Sequence, residues 1–145
     1  MERSEIKKEL DRVADNLTPI AKEQLETEGH FDPVVVLVYP DDRKEFLYPR
    51  YQNEAQRREA FEKVNKHIRD TEALGVVLMM ETWFFPKDST GPPKDSLLLM
   101  KRAWGINEYE AWTYQLNDEE VEWGNHIGPE PKTSDMLITA FKEMH

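Results

Sequence analysis

Between positions 4 and 28 the apolar residues Ile6, Leu10, Val13, Leu17, Ile20 and Leu25 recur mostly at three- and four-residue steps, the spacing of a helix with one greasy side. Gly29 is its natural stop. Pro19 lies inside the pattern; proline lacks an amide hydrogen and crowds the preceding turn, so a kink or a break into two helices is expected near Leu17, with Thr18 capping the second piece. The run 34–39 is β-branched, Pro40, Asp41, Asp42 and Arg43 have turn chemistry, and 45–48 is short and aromatic, which together predict an antiparallel hairpin. Asn53 with Gln56 three residues later approaches a capping box, and Ala60, Phe61, Val64, Ile68 and Leu74 predict a second long helix ended by Gly75. Pairs such as Glu59 with Lys63, four residues apart, mark its solvated side.

The stretch 76–85 is nearly continuous in apolar residues and predicts a central strand, covered on both faces or sealed by an interface on the second. Gly91, Pro92 and Pro93 place a loop over 86–94. Strands are expected at 97–104 and 109–116, and a short one at 121–123. The stretch 124–131 reads as irregular, followed by a short helix over 136–144 capped by Ser134 and Asp135. The order implies one α+β domain, 1–145. Its sheet is antiparallel or mixed, of about five or six strands, with the two long helices of the amino-terminal half and the short carboxy-terminal helix on one face.

Composition narrows the function classes. The 145 residues are 39% hydrophobic and 33% charged, too apolar for a disordered chain. No apolar run approaches the length of a membrane span, and the first residues, Met1, Glu2, Arg3, Ser4 and Glu5, are too charged for a signal peptide. Cysteine is absent, which excludes disulfides and thiolate chemistry and fits the cytoplasm. A net charge of -10 argues against direct nucleic-acid binding, whose affinity comes mainly from Lys and Arg.

Motifs for chemistry are few. The six glycines never fall at phosphate-loop spacing, and no serine has a nucleophile-elbow context. His30, His67, His126 and His145 form no local ligand pair. The stretch 125–135 resembles in part the zinc-binding segment of JAB/MPN-type metalloproteins. Gly124, however, stands where the first histidine would be, and Ser134 is directly followed by Asp135, so no metal and no cofactor is expected. Glu81 is the sharper candidate, because the two-residue period places it beside Val77, Met79, Trp83 and Phe85 on one strand face. Should that face be the core, Glu81 is a desolvated carboxylate with a raised pKa, suited to bind a ligand with Arg102. Lys101 or Arg102 could instead neutralise it as a structural pair, or the residue could simply face water.

Acidity is concentrated late: residues 105–145 hold nine acids against two bases. There Glu108, Glu110, Asp118, Glu119, Glu120 and Glu122 interleave with Tyr109, Trp112, Tyr114 and Trp123. Acids alternating with aromatics suit a half-buried sheet, and equally a surface that docks a partner, since Trp and Tyr anchor interfaces and one-signed charge steers encounter. The expected function is a non-enzymatic protein-binding or assembly module, self-association included, that uses Tyr109, Trp112, Tyr114, Glu119, Glu120 and Trp123. Two alternatives are an acidic inhibitor that mimics nucleic acid, and a small-ligand binder or enzyme with Glu81 in a pocket.

Overall fold

A computed structural model describes residues 2–84, 92–118, 120–131 and 137–141. Helix α1 (Arg3–Glu28) leads to strands β1 (Val34–Val38) and β2 (Lys44–Leu47), joined by a short 3-10 turn; helix α2 (Glu54–Thr71) follows. Four strands then meander: β3 (Gly75–Phe84), β4 (Lys94–Ala103), β5 (Ile106–Asn117) and β6 (Glu120–Pro131). All pair antiparallel in one sheet of order β2-β1-β3-β4-β5-β6. Among the described residues no helix is long and apolar enough to cross a membrane.

The two long helices lie on opposite faces of this sheet, not together on one. The period of two explains how. Val34, Val36, Val38, Val77, Met79, Leu97 and Leu99 pack with Leu10, Val13, Ala14, Ala21 and Leu25 of α1. The alternate residues Val35, Leu37, Val76, Leu78, Met80, Leu98 and Met100 pack with Phe61, Val64 and Ile68 of α2. Every residue of β1 is buried, so its uninterrupted valines and leucine answer to two cores at once.

Local chemistry accounts for where the elements stop. Proline 19 does not break α1, which is a single helix of 26 residues. Thr18 lies inside this helix and does not start a second one; its hydroxyl donates back to the Ala14 carbonyl at 2.7 Å. Gly29 ends the helix in the left-handed region at φ 79°. Asn53 caps α2 by accepting from the Gln56 amide at 2.8 Å, while the Gln56 side chain accepts from the Gln52 amide at 2.8 Å. The helix ends at Thr71, short of Leu74, because Glu72 turns left-handed and the Leu74 amide already bonds the Val38 carbonyl at 2.8 Å.

Two further expectations are corrected. The segment 124–131 is strand: β6 is twelve residues long, with register shifts opposite the Tyr109/Ala111 and Trp112/Tyr114 steps. At the second shift the Asn125 amide donates to the Thr113 hydroxyl at 2.8 Å, and a Cβ on Gly124 would lie 2.6 Å from that oxygen. No helix occupies 137–141; the rest of the expected 136–144 helix lies outside the described residues. Asn65 takes the Leu137 carbonyl at 2.8 Å and the Thr139 and Ala140 amides, and Arg102 takes the Ile138 carbonyl at 2.6 Å. Those carbonyls would otherwise serve a helix.

A polar cluster pins α1 to the sheet. The nearly buried Lys101 ammonium lies 2.8 Å from Asp11, and Lys7 bridges Asp11 at 2.6 Å and Glu108 at 3.1 Å. Burial alone would raise the Asp11 carboxyl, but hydrogen bonds from Lys101 and Lys7 outweigh it and hold the group below its ordinary value of 3.8. Asp11→Asn leaves the Lys101 ammonium without its counter-charge and, because Asp11 is partly open to water, is expected to cost about 1 kcal/mol at neutral pH, measured by urea unfolding. A carboxyl with a lowered folded pKa stabilises above its unfolded pKa and loses that contribution as pH falls through the folded one, so parent and variant should converge in acid. Equal stability at pH about 7 would contradict the role.

Candidate functional site

Strand β3 outruns β1. Their last pair is Val34 with Met79, whereas β3 and β4 stay paired as far as Phe84 with Lys94. Among the described residues, 80–84 therefore lack a strand on the β1 side. A hollow of about 710 Å³ occupies that place, lined by the consecutive residues Met80, Glu81, Thr82 and Trp83 and walled opposite by Tyr51 and Arg57. Consecutive residues of a strand point to opposite faces, so a hollow that touches all four lies against the strand's edge. It also extends over the α1 face, where Trp83 pairs with Asp95 and Asp95 with Tyr114.

Glu81 sits where the cover of α1 gives out. One carboxylate oxygen accepts the Phe31 amide, from the chain just past the α1 stop, and the Tyr114 hydroxyl is hydrogen-bonded to the same side chain. Burial pushes the Glu81 carboxyl above its ordinary range; the Phe31 amide and the nearby His30 oppose the rise, and Asp95 and Asp32 add to it. Burial, then the charges of Glu81 and Asp95, push the Tyr114 hydroxyl up as well, which keeps it a donor. Trp83 is 67% exposed beside these acids, an unusual degree for so large an apolar ring. The cation lining the hollow, Arg57, is engaged by Glu54 at 3.3 Å and by Tyr51. Carboxylates beside an open indole suit a cationic group, which gains from both charge and ring face.

Glu81 and Arg102 are not brought together. Arg102 points to the α2 face, is 3% exposed and holds the Ile138 carbonyl, while Lys101 serves Asp11. The aromatic residues of the late acidic stretch are divided between faces. Tyr109 packs on the α2-side core, and Trp112, Tyr114 and Trp123 on the α1-side core. Lys22 of α1 lies 4.8 Å from the Trp112 ring centre and 5.3 Å from that of Trp123, whose indole donates to Glu26 at 2.9 Å. Trp112 stacks on His126 at 4.8 Å. These aromatics are thus largely occupied by the chain itself. Glu120 is exposed at the β6 edge, and Glu119 lies outside the described residues.

A second polar network went unread in the sequence. The Tyr39 hydroxyl donates to Glu45 at 2.7 Å and sits 2.9 Å from the Thr71 hydroxyl, and His67 approaches the same Glu45 oxygen at 2.7 Å. Its members are 32 positions apart, so only the pairing of β2 beside α2 assembles them. Hydrogen bonds from Tyr39 and His67 hold Glu45 below its ordinary value. Among the described residues no group of three His, Asp or Glu side chains is arranged to hold a metal ion.

Compared with known proteins, the chain matches no family model, no curated protein and no solved structure.

Because the folded Glu81 carboxyl lies above its ordinary value of 4.5, it and its unfolded counterpart are both neutral in acid; as pH rises the unfolded chain ionises first and stability falls. Glu81→Gln keeps an acceptor for the Phe31 amide without the charge. The variant should melt higher than the parent at about pH 7.5, with the gap closing near pH 4. A variant that melts lower by the same amount at both would show the ionised carboxylate to be a structural support.

Proposed function

We propose that this protein is a non-enzymatic binding module that receives a cationic group of a partner protein in the hollow beside Glu81. The observation that carries the reading is the meeting, in one hollow, of the half-buried Glu81 carboxylate, Asp95 and the exposed Trp83 ring. The binding-module class was expected from the acidic, aromatic-rich composition. This hollow shares only Tyr114 with the 109–123 stretch, whose Trp112 and Trp123 already pack on the cover supplied by α1. The formal charge of -10 supports the sign of the partner, because a field of one sign raises the encounter rate with its opposite and is screened by salt. Glu81 would bind a cation more strongly once ionised, so affinity should rise with pH through its titration.

The test uses Nα-acetyl-arginine amide as probe, followed by NMR on the full chain. The Trp83 indole and neighbouring backbone signals should shift saturably at low salt. Glu81→Gln and Asp95→Asn should each weaken the effect several-fold, and Trp83→Ala should weaken it without loss of fold. No shift at Trp83, or shifts unchanged in both acid variants, would overturn the reading.

A further inference from the structure

The occupant that fits this hollow is defined by its position in the plane of the sheet. A ligand lying over a sheet face touches residues of one parity, whereas Met80, Glu81, Thr82 and Trp83 all line the same space. That space continues the line of β1 beyond its last pair, Val34 with Met79. The chain that enters β1 does not fill the lane as strand: Pro33 precedes β1, and the Phe31 amide is spent on the Glu81 side chain. The lane has walls on both sides, Tyr51 and Arg57 on the α2 side and Glu81 and Trp83 on the α1 side. Backbone groups along a free strand edge are donors and acceptors spaced for another strand, and extended peptides use such edges widely.

We infer that the lane beside 80–84 receives an extended segment of a partner polypeptide, which adds as a strand to the free edge of β3 and places one lysine or arginine side chain over Glu81 and Asp95. The inference rests on the proposed function above and specifies its partner as a polypeptide in extended form. Length agrees with the mode: five residues of open edge match the length of an ordinary strand, and alternate side chains of the guest would fall to the two walls. Charge selects the sign. On the α1 wall the charged groups that line the lane are Glu81 and Asp95; Asp32, 3.9 Å from Arg50, and His30 act on Glu81 from nearby. Main-chain hydrogen bonds would supply affinity that tolerates sequence, and the acidic wall would supply the preference for a basic residue.

Backbone amide exchange separates the possibilities. The probe is an acetylated, amidated peptide of alternating valine and threonine with one central arginine; its control is the same peptide N-methylated at alternate residues, made in both frames. With dilute full-length protein, the first peptide should slow exchange at every second amide of 80–84, and one N-methylated frame should bind roughly tenfold weaker or less well still. Arginine amide alone should shift Trp83 and leave those amides unprotected. Peptide binding without protection at 80–84, or equal binding of both N-methylated frames, overturns the strand-addition inference and leaves the cation reading standing. Failure of arginine amide and peptide alike overturns the reading on which it rests. Protection that grows with protein concentration in the absence of peptide would mean that a second copy of the chain fills the lane, and would overturn a separate partner.

Discussion

A strand covered on both faces has no side on which to place polar residues, and this constraint governs β1 and the first half of β3. Val34 to Val38 and Val76 to Met80 are apolar without interruption because one parity answers to α1 and the other to α2. Burying each such side chain stabilises by roughly 1.5–3 kcal/mol, so the seven-residue inner layers on each side dominate what holds the two helices to the sheet. The same constraint fixes where chemistry can begin. Glu81 is the first charged side chain of β3, two positions after the last pair with β1 and next to the buried Met80.

The polar groups kept inside this arrangement each have a specific task. Lys101 and Asp11 set the position of α1 along the sheet, Asn65 and Arg102 tie down the backbone at 137–141, and Thr113 satisfies the strand shift at Asn125. Glu81 differs, because its partners, the Phe31 amide and the Tyr114 hydroxyl, hold it at the rim of a hollow that is open among the described residues. Polar groups that are satisfied at a rim remain able to exchange one partner for a ligand, whereas Lys101 and Arg102 are closed in by their own chain.

Much of the architecture was readable from periodicity. The helix from Ile6 to Leu25, the hairpin around Asp41, the Asn53 cap and the apolar run of β3 each carry a local signal that survives in the structure. The relation of the helices to the sheet was not readable. Periodicity shows that a helix has one apolar side and a strand has two, but it does not say which helix meets which. β6 was obscured for a different reason: its register shifts interrupt the two-residue alternation, and Gly124, Gly128 and Pro129 have the composition of a loop. The two-residue period put Glu81 on one face with Val77 and Met79, and burial there raises its carboxyl as expected. Its partners Phe31 and Tyr114, 50 and 33 positions away, come from pairings that only the folded sheet creates. Arg102 was expected beside Glu81 as a charge on the following strand, although it stands on the opposite parity and belongs to the other core.

The central claim is that β3 is paired on both sides through Met79 and that, among the described residues, its edge on the β1 side is open beyond it. Amide hydrogen exchange on the dilute, ligand-free chain tests it directly. Residues 76–79, paired on both sides, should exchange only through global unfolding, and among 81–84 every second amide should exchange orders of magnitude faster because it faces the hollow. Uniform slow exchange through residue 84 would contradict the open edge, and with it the site built upon it.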